Sequence, residues 1–291
     1  MLVITFTLTK PLHRLQGTTR RFAKGEYDVR AEISSRDEIG ELSKTFNYMA
    51  KTIENKMEEL KDAARRQENF TANFAHELKT PMTSIIGYAD TLYQKTLSPE
   101  EVHQLAGIIM NEGMRLEALS FKLMELVTLS RSDFQLEEAR IDEVMADAVE
   151  TIQATAEKRN VRVQIQTEPA WVRLEYDLFK TLLLNLMDNA LKSGTDRINI
   201  QGSREKEQYM ISIRDYGRGI PKEDLQKITE AFYMVDKSRS RKEHGAGLGL
   251  ALAVKIAKLH HTELVYESVA GQGTCVSFML AKEADDEEEE D

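Results

Sequence analysis

Residues 73–90 read "NFAHELKTPMTSIIGYAD". Residues advance about 100° each around an α-helix, so Phe74, Leu78, Ile85 and Leu92 form one apolar stripe. His76 falls at the middle of the opposite face, where it cannot pack a core. Glu77 lies beside the ring, and Thr80 follows one turn below on nearly the same outward face. Pro81 has no backbone N–H, so the Glu77 carbonyl loses its helical partner and a bend is expected there. An imidazole with an unperturbed pKa of about 6.5 is available in neutral form near pH 7. A carboxylate bonded to one ring nitrogen fixes the tautomer and leaves the other free to attack. The stretch therefore predicts a helix that presents a nucleophile, with a merely solvated histidine as the alternative.

Downstream of this helix, "LSPE" places Ser98 and Pro99 where an N-cap and a first helical residue belong. The helix that follows carries Val102, Leu105, Ile109, Leu116, Leu119, Leu123, Leu126 and Leu129. Two antiparallel helices with one apolar face each do not enclose a core, and pairing with a second copy into a four-helix bundle completes it. Upstream, residues 10–58 hold two amphipathic helices around the connector "GEYDVRAEISSRDEIG". Leu12, Leu15, Thr19 and Phe22 mark the first helix. Ile39, Leu42, Phe46, Met49 and Ile53 mark the second with a coiled-coil seam that predicts a partner across a dimer axis. No Pro or Gly interrupts residues 41–80, so a movement in the first block can reach His76 as helix rotation or tilt.

From about residue 138 to 282 the pattern becomes mixed. Strands are expected at "VRVQIQ", "WVRLEY", "RINIQG", "QYMISIRD", "TELVYES" and "TCVSFML", and helices at 141–159, 177–193 and 246–260. This interleaving predicts an α/β sandwich. Within the helix "DLFKTLLLNLMDNALKSG", Asp177 is the expected N-cap and Gly194 the stop. Asn185, Asn189 and Lys192 share its polar face, where amide oxygens suit Mg²⁺ and the ammonium suits phosphate. "DYGRGI" at 215–220, "GAGLGL" at 245–250 and "GQGT" at 271–274 follow. Asp215 ends a strand, where its carboxylate can accept from an amino group of a base. Gly217 and Gly219 allow close approach and positive φ, and Gly245, Gly247 and Gly249 precede a helix start suited to phosphate. The long polar loop before "GAGLGL" excludes a Rossmann reading.

Composition narrows the class. Charged residues are 30% and apolar ones 41%, as in a soluble, helix-rich protein. Eight of the ten net negative charges sit in the end "EADDEEEED", so the rest is nearly balanced and not basic enough for sequence-independent nucleic-acid binding. A disordered tail is expected at 283–291. The single Cys275 excludes a disulfide framework and a cysteine metal cluster and fits a reducing cytosol. "MLVITFTL" spans only about 10 Å as a helix against a bilayer core of about 30 Å, and reads as the inner end of a transmembrane helix.

Taken together, "FAHELKTP", "NLMDNALK", "DYGRGI", "EAFYMVDKSRS" and "GAGLGL" resemble the H, N, G1, F and G2 boxes of bacterial two-component sensor histidine kinases. Residues 10–58, notably "PLHRL" and "DEIGELSKTFNYMA", resemble a HAMP signal-relay domain. The resemblance implies a transmembrane remnant (1–9), HAMP domain (10–58), phosphotransfer and dimerisation hairpin (59–132), ATP-binding domain of the GHKL type (138–282) and acidic tail (283–291). It implies His76 as phosphoacceptor, Glu77 as acid or base and Thr80 as the positioner of water for dephosphorylating a regulator. It implies ATP and Mg²⁺ as cofactors, with Asn189 on the metal and Asn185 in support, Lys192 on phosphate and Asp215 on the adenine amino group. Gly217, Gly219, Ile220, Tyr233, Arg239, Gly245, Gly247, Leu248, Gly249 and Thr274 shape the nucleotide pocket and lid. The implied partners are a second copy, a response-regulator receiver domain and the membrane through an upstream segment, with the chain on the cytoplasmic side. Three departures stand out: Met234 where the family usually has arginine, with Arg239 or Arg241 as a substitute cation; Ser193 where an aromatic is common; and "LHHT" at 259–262 in place of an "HGG" turn. A phosphatase-dominant protein and a non-catalytic ATP-binding scaffold are the alternatives to a kinase.

Overall fold

The structure is a computed structural model that describes residues 2–33, 37–129, 134–235 and 247–281, and no side chains before residue 9. The chain divides into two compact units, residues 1–72 and 73–291.

In the first unit, helix α1 (Leu2–Phe22) runs through Pro11 and across the expected boundary at residues 9–10. Helix α2 (Glu38–Gln94) begins under Asp37, whose Oδ1 accepts the N–H groups of Ile39 and Gly40 at 3.1 Å. Leu15, Phe22, Ala31, Phe46 and Ala50 form a small core. The Phe22 ring meets Tyr27 and Phe46 edge-on at 5.1 and 5.6 Å. Asn47 pins the connector, donating to the Ala31 carbonyl (2.9 Å) and accepting from its N–H (2.7 Å). The seam expected along α2 divides. Phe46 is buried in this core, with Ser43 and Ala50 beside it on the same face, whereas Leu42 and Met49 stay about half exposed. Phe46 therefore packs within its own protomer rather than across a dimer axis, because α1 offers the nearer apolar face.

The second unit holds the end of α2, helix α3 (Pro99–Thr128) and the sandwich. Ser98 caps α3 in a reciprocal box, accepting from Glu101 N–H while Glu101 accepts from Ser98 N–H at 2.8 Å. The helical hairpin is followed by β1 (Glu137–Arg140), α4 (Ile141–Lys158), β2 (Arg162–Thr167), β3 (Trp171–Leu174), α5 (Tyr176–Lys192), β4 (Arg197–Glu205) and β5 (Gln208–Asp215). Helix α6 (Gly249–Leu259), β6 (Val265–Val269) and β7 (Gly273–Ala281) complete it. The main sheet has the order β2-β4-β5-β7-β6, with β2 parallel to β4 and the other pairs antiparallel. Burial alternates along β4 and β5, so Ile198, Ile200, Ile211 and Ile213 face the core formed with α4, α5 and α6. "WVRLEY" is a strand, but it pairs with β1 in a separate two-stranded sheet, and β1 itself was not expected. The α5 cap also differs from expectation. Glu175, not Asp177, accepts the Leu178 N–H at 2.6 Å, and Asp177 lies in the first turn.

Candidate functional site

His76 is helical and faces outward, with 66% of its side-chain surface exposed, while Phe74, Leu78, Ile85 and Leu92 are half-buried. Its Nδ1 lies 3.7 Å from Glu77 Oε1. Glu77 is only 12% exposed, and its other oxygen lies 3.5 Å from the guanidinium of Arg115 on α3. The carboxylate is thus tethered from behind while one oxygen stays at the imidazole. Thr80 is exposed and donates to the His76 carbonyl at 3.3 Å. Helix α2 continues through Pro81, which is buried against the hairpin.

A cleft of about 460 Å³ opens beside the ends of α5, β5 and α6. Leu186, Ile213 and Val276 give it an apolar floor. Asp215, at the end of β5, is 6% exposed, and its Oδ1 accepts the Gly217 N–H at 2.9 Å. Burial pushes the Asp215 carboxyl above the usual carboxylate range, against the lowering effect of backbone N–H groups from Gly217 and Thr274. Glycine is sterically required at several positions here, Gly217 and Gly219 among them. A Cβ on Gly217 would sit 2.1 Å from Ser193 Oγ, and one on Gly219, at φ +65°, would sit 2.1 Å from the Val269 carbonyl oxygen. Ser268 ties the adjoining edge together: its hydroxyl accepts from Ile220 N–H (2.8 Å) and lies 2.8 Å from Thr274 Oγ1.

At the other end, Gly249 opens α6, whose first turn carries no acid and whose N-cap Leu248 makes no side-chain cap. Free N–H groups and the helix dipole favour an anion at such an end. Asn189 and Lys192 line the cleft from α5, and Lys192 is held by Asp188 at 2.6 Å. Tyr233 also lines it and donates to Asp224 at 2.5 Å, which raises its phenol pKa. Phe74, two residues before His76, lies 6.3 Å centroid-to-centroid from Phe232, the sequence neighbour of Tyr233.

The cleft thus gathers Asn189, Lys192, Asp215, Gly219, Ile220, Tyr233, Gly247, Gly249 and Thr274 from the sequence-derived set. Gly217 and Leu248 lie behind its surface. Asn185 is likewise set back: it donates to the Thr181 carbonyl, and its Oδ1 would lie 2.8 Å from a Cβ on Gly249, so it fixes the approach of α6. Arg239, Arg241 and Gly245 lie outside the described residues. Sequence reasoning missed Arg115, Ser268 and Lys122, which also lines the cleft. The departure at "LHHT" is accommodated locally. His261 takes φ +55°, and buried His260 accepts the Glu175 N–H at Nε2 (3.0 Å) while Nδ1 lies 2.9 Å from the Ile256 carbonyl.

Three family models match in succession: the HAMP domain at residues 3–55, the His Kinase A (phospho-acceptor) domain at 66–132, and the histidine kinase-, DNA gyrase B- and HSP90-like ATPase at 174–284. The chain is 32% identical over 275 residues to the sensor histidine kinase YclK of Bacillus subtilis, covering 91% of this chain and 57% of that protein. The chain belongs to the bacterial two-component sensor histidine kinases. Another member of this family, the signal transduction histidine-protein kinase AfsQ2 of Streptomyces coelicolor, is 29% identical over 98% of this chain and 55% of its own length. The chain therefore spans little more than half the length of these sensor kinases. The fold is shared with histidine kinase ThkA solved in complex with response regulator TrrA (TM-score 0.61, 23% identity, 77% of this chain and 66% of that one). It is shared also with histidine kinase AdeS of Acinetobacter baumannii (TM-score 0.57, 20% identity, 72% and 98%).

Proposed function

We propose that the chain is an ATP-dependent protein-histidine kinase that phosphorylates His76 and passes the phosphoryl group to an aspartate of a response-regulator receiver domain. The observation that carries this reading is an exposed imidazole with a tethered carboxylate 3.7 Å from Nδ1, in one unit with a glycine-walled cleft that has a buried carboxylate at one end and a helix N-terminus at the other. Glu77 stands on the Nδ1 side of the ring; closing from 3.7 Å to hydrogen-bond distance it would hold the Nδ1 proton, so that Nε2 carries the free lone pair and attacks the γ-phosphorus of ATP. The new N–P bond forms as the bond from phosphorus to the bridging oxygen breaks, and ADP leaves. Catalysis of this kind is largely positioning and charge stabilisation.

In the cleft, Asp215 uses the oxygen not bonded to Gly217 to accept from the adenine amino group. The phosphates lie toward Gly247, Gly249 and Lys192. Among the described residues no cluster of three or more His, Cys, Asp or Glu side chains can hold a metal. Asn189 would hold Mg²⁺ through its amide oxygen, and the ion would neutralise phosphate charge there while keeping few protein ligands. Arg239 and Gly245 belong to this site by motif.

The hairpin of a single protomer leaves Ile86, Met110, Met114, Phe121 and Met124 at least 60% exposed, which supports a homodimer joined along α2 and α3. We assign residues 10–58 to signal relay, 59–132 to phosphotransfer and dimerisation, and 138–282 to ATP binding, on the cytoplasmic side of a membrane-anchored receptor. No described helix is long and apolar enough to cross a membrane. Exposed Thr80, one turn from His76, supports a second activity that positions water for dephosphorylating the regulator. Incubation of the purified chain with Mg²⁺ and γ-labelled ATP tests the kinase reading. Label is expected on the parent chain and absent from His76→Gln, whereas label retained by that variant would refute His76 as the acceptor.

A further inference from the structure

Helix α3 packs on the sandwich as well as on α2. Its last turns carry Leu126 and Leu129 into the sandwich core, and Lys255 of α6 donates to the Leu126 carbonyl. Lys122 lies four residues before Leu126, on the same helical face. It lines the same cleft as Asn189 and Lys192 of α5 and Thr274 of β7. Its side chain is half-buried and makes no hydrogen bond or ion pair among the described residues. The other cations of the cleft are differently placed. Lys192 is held by Asp188 at 2.6 Å, and Arg218 is exposed and follows directly on the Asp215–Gly217 turn. Met234 and Val235, which also line the cleft, carry no charge.

Lys122 thus brings to the cleft an ammonium with no ion-pair partner among the described residues, and an entering anion can accept a charge-assisted hydrogen bond from it. We infer that Lys122 is a phosphate-contacting residue of the nucleotide site, contributed by the helical hairpin rather than by the sandwich. It follows that nucleotide binding and the packing of α3 on the sandwich reinforce each other, and that release of the sandwich from the hairpin surrenders one phosphate contact. This rests on the assignment of the cleft to ATP.

Calorimetric titration of the full chain with ATP and with adenosine, in the parent, Lys122→Gln and Lys122→Arg, tests the inference. Lys122→Gln should bind ATP roughly tenfold more weakly, the worth of one charge-assisted contact. Adenosine affinity and the thermal unfolding midpoint should be unchanged, and Lys122→Arg should retain most of the ATP affinity. Parent-like ATP binding by Lys122→Gln would overturn the inference, as would equal weakening for ATP and adenosine or equal loss in both variants. A parent chain that binds neither ligand would instead overturn the ATP reading of the cleft, and this inference with it.

Discussion

Asp215→Asn separates recognition from folding more cleanly than any other change at the cleft. The carboxylate has two oxygens. Oδ1 accepts the Gly217 N–H at 2.9 Å, the Ser193 hydroxyl and the Thr274 N–H also act on the carboxylate, and the proposed adenine contact uses a lone pair of the other oxygen. An amide has one oxygen. If it keeps the Gly217 bond, its NH₂ faces the adenine amino group, donor against donor. A hydrogen bond to a charged group is worth about 1.5–3 kcal/mol, so ATP binding should weaken by roughly 10- to 150-fold. Stability should move the other way. Burial raises the folded-state pKa of Asp215 above its unfolded value. The stability it contributes is thus fully present below the unfolded pKa and lost as pH rises through the folded one. At neutral pH the ionised side chain is therefore a liability, and the neutral amide should leave the unfolding midpoint unchanged or raise it. Calorimetry with ATP and a thermal melt of the same sample give both quantities. ATP affinity within about twofold of the parent, or a lowered midpoint accompanying the lost affinity, would rule out this role for Asp215.

Three further outcomes follow from the packing. His260 is buried and bonded as a neutral ring, and burial lowers its folded pKa; the stability it gives is present above its unfolded pKa of about 6.5 and lost as pH falls through the lower folded value, so thermal melts should show falling midpoints on acidification, with a weaker dependence in His260→Leu. Gly219→Ala should lower the midpoint and ATP affinity together, because the left-handed backbone alone costs about 1–2 kcal/mol and the new Cβ would lie 2.1 Å from the Val269 carbonyl oxygen. Arg115→Ala frees Glu77 from its 3.5 Å contact; labelling should slow while calorimetric ATP affinity stays unchanged, since Arg115 does not line the nucleotide cleft.

The elements most legible in sequence were those with a local cause. Ser98 and Glu101 form the box their spacing predicts, and Gly194 takes φ +84° just after α5. "QYMISIRD" is β5 over the residues expected, because its alternation matches one buried and one open face. What escaped was set by tertiary context. Strand β1, "EEAR", has no apolar alternation and exists only because β3 pairs with it. Asp177 has the chemistry of a cap, but Glu175 precedes the first turn and its longer side chain reaches Leu178. Phe46 satisfied the coiled-coil spacing on α2, yet α1 supplies its partner within the protomer. At the site, helical phase placed Asn189 and Lys192 in the cleft but could not foresee that Asn185 would be taken up beneath Gly249. Arg115 and Lys122 sit on a helix read only for its apolar stripe, and their roles depend on what that helix packs against.

His76 is proposed to receive the phosphoryl group on a ring nitrogen. The most direct measurement is peptide mapping by mass spectrometry of the chain after incubation with Mg²⁺-ATP, combined with the chemical stability of the modification. One phosphoryl group is expected on the peptide that contains His76, labile in acid and stable in alkali. A modification stable in acid, or one carried by another peptide while that of His76 stays unmodified, would contradict this role for His76.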